Sequence, residues 1–118
     1  MTNSKRLTIL TSEEIIDLYG IPSFDDDERA DFFSLESVER KIVDELASAA
    51  ARINFILQLG YFKAKGDFFN FTFQEVRHDV WYIINRYFPE AKFPKKQLSK
   101  YQHYTNKKRI LALYNYAQ

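Results

Sequence analysis

The stretch that decides the fold runs from residue 34 to residue 60 and reads SLESVERKIVDELASAAARINFILQLG. Its apolar residues recur at steps of three and four, which is the repeat of one face of an α-helix. They are Leu35, Val38, Ile42, Leu46, Ala49, Ile53 and Ile56, with Val43, Ala47, Ala50 and Leu57 in a second row. Because both rows are apolar, the pattern predicts one long central helix that Ser34 caps and that ends near Gly60.

Upstream of this stretch, capping signals predict two further helices. Thr11 with Glu14 has the spacing of a capping box, and the helix that it opens should end at Gly20. The acidic residues 25–28 suit the first turn of a second helix, because carboxylates are favourable at the positive end of the helix dipole. This helix should run to about Phe33.

Downstream, Thr72 with Glu75 predicts a helix that Pro89 closes. Either Ser99 or Thr105 opens the last helix, and the sequence leaves that choice open. The apolar face of that helix should consist of Ile110, Leu113, Tyr114 and Ala117. No segment alternates apolar and polar residues as a strand would, so we predict an all-α fold, a single bundle of about five helices over residues 1–118.

Composition excludes several classes of protein. A chain of 118 residues has the size of one domain, and its apolar content of 46% is enough for a core. The absence of cysteine excludes disulfides, thiol catalysis and cysteine-based metal sites. No apolar run approaches the length of a membrane span, and residues 1–10 lack the apolar core of a signal peptide. We therefore expect no membrane contact.

Charge is strongly segregated along the chain although the net charge is only +1. Residues 1–45 hold five basic and twelve acidic side chains, a net charge of −7, whereas residues 46–118 hold twelve basic and four acidic ones, a net charge of +8. Residues 91–118 hold seven lysines and arginines and no acid. This asymmetry has two interpretations: a basic surface for a polyanion, or charge pairing between the two halves within the fold.

The sequence offers no set of residues for catalysis. His78 and His103 are too far apart for a local metal site, and residues 25–27 are explained by their place in a first helical turn. Thr72 and Ser34 have the positions of helix caps, and no base is placed to activate them as nucleophiles. We therefore predict no catalytic residue, no metal and no cofactor.

The basic end of the chain is the candidate binding site. If Thr105 is the cap, residues 107–109 (Lys-Lys-Arg) fall in the first turn, where cations oppose the helix dipole. Free amides at a helix start also bind phosphate, so the conflict favours an anion site over a merely solvated lysine-rich end.

Aromatic residues are interleaved with this basic character, as in nucleic-acid grooves. Lys63 and Lys65 alternate with Phe62, and Tyr104 lies among the lysines near the end of the chain. The alternative interpretation is that most of the rings are core, and we expect this of Phe62, Phe68, Phe69 and Trp81. The predicted DNA-contacting residues are Lys63, Lys65, Lys95, Lys96, Lys100, Tyr104, Lys107, Lys108 and Arg109.

Four stretches, in this order, resemble the amino-terminal domain of Tn3-family transposases, the enzymes of replicative bacterial transposons. They are Leu18-Tyr19-Gly20-Ile21-Pro22, residues 54–66 (NFILQLGYFKAKG), Asp67-Phe68-Phe69 and Arg86-Tyr87-Phe88-Pro89. The resemblance spans nearly the whole chain, and residues 54–66 are its most specific part.

This resemblance implies a bacterial, cytoplasmic, helical module that binds double-stranded DNA at the terminal inverted repeats of the element. It also implies that the chain is part of a much longer transposase, whose metal-dependent three-carboxylate catalytic core lies downstream. The domain itself would then be no enzyme. Two alternatives remain open: a protein–protein interaction module, through which the full-length transposase would self-associate, and a scaffold for the catalytic core.

The sequence departs from the family near its end. Where the family often carries several arginines and a histidine, this chain has Tyr104-Thr105-Asn106-Lys107-Lys108-Arg109. Lysine is a point charge that suits phosphate, whereas arginine reads guanine with two hydrogen bonds. We therefore assign Lys107 and Lys108 to the DNA backbone and leave Arg109 as the candidate base contact of this cluster.

Overall fold

The central helix of the fold is surrounded by the others in a single all-α bundle, as predicted. The computed structural model describes residues 20–117, and within them no residue is in a strand. The five helices of this part of the chain are α1 (Asp26–Phe32), α2 (Ser37–Glu45), α3 (Ala49–Lys65), α4 (Arg77–Tyr87) and α5 (Lys100–Ala117). None of them combines the length and the apolar character of a membrane span. The helix predicted from Thr11 to Gly20 lies outside the described residues, apart from Gly20 itself.

Helix α3 packs against each of the other four helices. Every residue from 53 to 61 is buried, so this helix has no solvent face over more than two turns. A helix without a solvent face lies in the interior, and the two polar side chains of this segment, Asn54 and Gln58, are hydrogen-bonded to Asn106 and to the Phe69 carbonyl. The prediction of a central helix in this stretch is therefore confirmed.

The prediction of one unbroken helix from Ser34 to Gly60 is wrong. The backbone is extended at Leu46 (ψ 145°), and Ser48 caps a new helix by accepting a hydrogen bond from the Ala51 amide at 3.1 Å. The Arg52 guanidinium donates to the Leu46 carbonyl at 3.0 Å and to the Asp44 carbonyl at 3.2 Å. The break is stabilised because these bonds satisfy carbonyls that the end of α2 leaves open.

Both ends of the predicted helix also differ from expectation. At the start, Ser34 is not the cap; Glu36 is, and its amide donates to the Glu39 carboxylate at 2.9 Å. At the other end, α3 continues through Gly60 to Gly66, which adopts the left-handed conformation (φ 71°) of a helix C-terminus.

Gly60 is present for space and not for chain termination. A Cβ atom there would overlap the ring of Phe33, which is itself fully buried. We expect Gly60→Ala to lower the free energy of unfolding by about 1–3 kcal/mol, as overpacked cores do. Denaturant titration followed by circular dichroism measures this. Unchanged stability would show that Phe33 is free to move aside.

Within the described residues, the helix starts predicted at residues 25–28 and at Thr72 are formed by those residues, whereas Thr11 and Glu14 lie outside them. The side chain of Asp25 accepts from the Glu28 amide at 2.8 Å and the Glu28 carboxylate accepts from the Asp25 amide at 3.0 Å, so the acidic cluster does start α1. Thr72 and Glu75 exchange the same pair of bonds, at 2.7 and 3.1 Å, although the regular helix α4 begins only at residue 77. Pro89 follows the end of α4.

Candidate nucleic-acid interface

Ser99, and not Thr105, caps the last helix. The Gln102 amide donates to the Ser99 hydroxyl at 3.2 Å, and the Gln102 side chain accepts from the Ser99 amide at 3.1 Å. Thr105 lies inside α5 and donates to the carbonyl of Gln102. The alternative that placed residues 107–109 in a first turn is therefore wrong, and the helix dipole gives no reason for a site there.

The inner face of α5 is fixed by a buried contact with α3. The Asn106 side chain donates to the Ala51 carbonyl at 3.3 Å and to the Asn54 side chain at 3.1 Å. One turn later Ile110 is fully buried. Buried polar groups that pair with each other and not with solvent set one rotation of the helix. The opposite side of α5 is consequently turned to solvent.

This outer side carries aromatic and basic side chains together. Tyr101 is 74% exposed, Tyr104 58% and Leu111 43%, which is high for residues with large apolar groups. Lys100 and Lys108 are also exposed, and the Lys108 ammonium lies 5.4 Å from the centre of the Tyr104 ring. We call Lys100, Tyr101, Tyr104, Lys108 and Leu111 the outer face of α5.

Two predicted residues lie to either side of the outer face. Because successive residues of a helix are about 100° apart, Lys107 and Arg109 cannot point the same way as Lys108. Lys107 is half-buried, with its ammonium 5.8 Å from the centre of the Phe68 ring. Arg109 is exposed. The structure thus separates the three consecutive cations instead of presenting them as one cluster.

The remaining predicted lysines lie in two places. Lys95 and Lys96 are exposed in the loop that leads into α5, next to Lys100 along the chain. Lys65 is exposed in the last turn of α3. Lys63 is mostly buried: its ammonium lies 3.1 Å from the Glu39 carboxylate and donates to the Ser34 carbonyl at 3.0 Å. The charge of Lys63 is therefore already compensated within the fold.

The rings expected in the core are mostly there. Phe62, Phe68 and Phe69 pack against it, and the Phe62 ring meets Phe68 at 4.9 Å and Tyr114 at 4.8 Å between centres. Trp81 differs, since it is 46% exposed on α4.

Comparison with known protein families shows to which family this chain belongs. The model of a domain of unknown function (DUF4158) matches residues 9–118, which is nearly the whole chain. The chain belongs to the DUF4158 family. Comparisons with curated proteins and with solved structures gave no match.

The charge pattern of this DUF4158 chain is only partly explained by pairing between its halves. The four ion pairs among the described residues are Arg29–Asp26, Arg29–Asp79, Arg40–Asp44 and Lys63–Glu39. Two of them join the acidic half to the basic half. None involves a cation between residues 91 and 117, so within the described part of the chain this positive charge is compensated by no ion pair.

One polar network of the DUF4158 domain was not predicted from the sequence. The buried carboxylate of Asp79 accepts from the Arg29 guanidinium at 2.7 Å and from the Tyr61 hydroxyl at 2.5 Å. Burial, together with the Asp79 charge, raises the pKa of Tyr61 far above its usual value. An open cavity of about 210 Å³ lies beside the network, but its arginine is already held by two carboxylates, Asp79 and Asp26. We assign the network to packing of α1 and α4 on α3.

Metal-ligating geometry is not found among the described residues of the DUF4158 domain, where no three His, Cys, Asp or Glu side chains converge. His78 is exposed near the start of α4. His103 is half-buried on α5, and burial and the neighbouring Lys107 lower its pKa. The candidate interface is characterised by its charge and its exposed rings.

Proposed function

We propose that this domain is a non-catalytic double-stranded DNA-binding module, and that it helps a Tn3-family transposase recognise the terminal inverted repeats of its transposon. The observation that carries the proposal is the outer face of α5, where exposed lysines and tyrosines share one side of a long helix. A helix of this diameter fits the major groove, and lysines along it neutralise phosphates. The proposal that the target is the transposon end comes from the resemblance of four sequence stretches to Tn3-family transposases.

The proposed contacts follow from the exposed charges. Lys95, Lys96, Lys100 and Lys108 would touch phosphates, and Arg109, at the edge of the outer face, remains the candidate for a base. Tyr104 would contact the backbone through its hydroxyl. Lys63 is left out of this set because Glu39 already holds its charge.

Salt dependence tests the electrostatic part of this proposal. If about five cations release counterions from duplex DNA, the slope of log K against log salt should be about −4 to −5. Fluorescence anisotropy of a labelled transposon-end duplex, measured over a series of salt concentrations, gives the slope. Binding that is tight but indifferent to salt would exclude the basic segment as the contact surface.

Sequence preference tests the second part. The same measurement with a scrambled duplex of equal length and composition should give weaker binding, because base contacts and shape differ while the phosphates remain. Equal affinities for the two duplexes would show that the domain binds DNA without recognising the transposon end.

A protein–protein interaction module is the second candidate. The observation that favours it is apolar: Leu111 and Tyr101 are exposed on the same face as the lysines. Exposed apolar side chains that cluster mark interaction surfaces. Sedimentation of the domain over a range of concentrations separates the candidates, because self-association through this face would appear without DNA.

A further inference from the structure

Trp81 lies on the outer side of α4, one turn after Arg77. The inner side of this helix is formed by Val80, Ile83 and Ile84, which are all buried. Trp81 is 46% exposed, whereas tryptophan is on average highly buried. Nearly half of its large apolar surface therefore faces water.

The loop after α4 holds this ring in place. Phe93 packs against Trp81 with ring centres 5.5 Å apart at an angle of 45°. Phe93 is itself only half-buried, so the pair forms an aromatic platform at the surface. A ring that is supported on one side loses little conformational freedom when a second planar group stacks on it.

Two exposed cations are close to the platform along the chain, and one of them, Arg77, also donates a hydrogen bond to the Gln74 carbonyl at 3.1 Å. Lys92 is exposed directly before Phe93, and the exposed Arg77 precedes Trp81 by one helical turn. None of the ion pairs of the described residues involves either cation. Between residues 88 and 99 the loop contains one acid, the exposed Glu90. The partner that this chemistry fits has a flat π surface and carries negative charge.

We propose that Trp81, Phe93, Lys92 and Arg77 form a site for single-stranded DNA, in which an unpaired base stacks on Trp81 and the cations contact the adjoining phosphates. Stacking of a base on an exposed aromatic ring, flanked by basic residues, is the usual mode of single-strand binding. A base within a duplex has no free face to offer, so the site selects unpaired nucleotides. The site shares no residue with the outer face of α5 and does not rest on duplex binding there.

Trp81 reports on the site directly because it is the only tryptophan of the chain. An oligothymidylate of about ten nucleotides, within the site size of single-strand binders, should quench its fluorescence. A much longer duplex at the same nucleotide concentration, in which few base pairs lie at an end, should bind with far less quenching. No quenching by the single strand, or equal quenching by the duplex, would overturn the proposal.

Substitution tests the same site independently. Trp81→Ala should weaken binding of the labelled oligothymidylate about 5- to 150-fold, and Trp81→Phe, which keeps an aromatic ring, should weaken it less. Lys92→Ala should reduce the salt slope by about 0.7, whereas Lys41→Ala, on α2, should leave it unchanged. Anisotropy gives the affinities, and circular dichroism checks that each variant is folded. A folded Trp81→Ala variant that binds the oligothymidylate as tightly as the parent would contradict the proposal. The affinity of the same variant for the transposon-end duplex tests duplex binding by the outer face of α5 separately.

Discussion

Replacing Lys100 and Lys108 together by alanine should weaken binding of the transposon-end duplex about 30- to 150-fold. Each lysine would lose a charge-assisted contact with phosphate, and such contacts contribute about 1–1.5 kcal/mol apiece when they are fully formed. Both side chains are exposed on the outer face of α5 and neither is in an ion pair of the described residues, so the fold should not change. Anisotropy with the labelled duplex measures the loss.

Two controls make this result specific. Lys41→Ala removes an exposed lysine from α2 and should leave the affinity within about twofold of the parent at fixed salt. Arg109→Ala distinguishes base contacts from backbone contacts. If Arg109 reads a base, this substitution should reduce the ratio of the affinity for the end sequence to the affinity for scrambled DNA. An unchanged affinity of the folded double variant would show that the outer face of α5 is merely solvated.

Ile110→Ala should have the largest effect on stability. The side chain is fully buried where α5 packs on α3, so its truncation removes apolar contacts and leaves a cavity. The expected loss is about 2–5 kcal/mol of unfolding free energy. Denaturant titration followed by circular dichroism measures it.

Leu111→Ala is the matched control, one position along the same helix. Leu111 is 43% exposed on the outer face, so its truncation should cost much less stability. The two variants should therefore report the orientation of α5, because Ile110→Ala lowers the free energy of unfolding strongly and Leu111→Ala lowers it much less. Similar losses of stability in both would contradict the orientation of α5.

Much of the fold was predictable because apolar spacing reports burial. The residues 53–61 occupy every face of a helix, and no arrangement other than a central position covers them all. The break before α3 was not predictable in the same way. The apolar steps continue across Leu46–Ser48, and the bonds that stabilise the break come from Arg52, whose reach to Leu46 and Asp44 depends on the folded geometry.

The candidate site could likewise be predicted only in part, because contacts between residues that are distant in sequence determine its geometry. Ser99 and Thr105 each have a hydroxyl that could cap the helix. Ser99 is the cap in the structure, where its hydroxyl accepts from the Gln102 amide and the Gln102 side chain accepts from the Ser99 amide. Lys63 looks like any other basic residue in the sequence, but Glu39, 24 positions away, compensates its charge. The exposure of Trp81 contradicts the usual preference of tryptophan for the interior, and only the packing of the other helices reveals it.

Whether the outer face of α5 binds duplex DNA can be measured by mapping the surface of the domain on which the duplex lies. Amide chemical shifts of the isotope-labelled domain, followed during titration with the transposon-end duplex, give that surface residue by residue. We expect the perturbed amides to cluster between residues 95 and 111, and those of the acidic helix α1 (Asp26–Phe32) to stay unchanged. Perturbations centred on α1, or none at duplex concentrations that saturate a micromolar site, would contradict duplex binding by the outer face of α5.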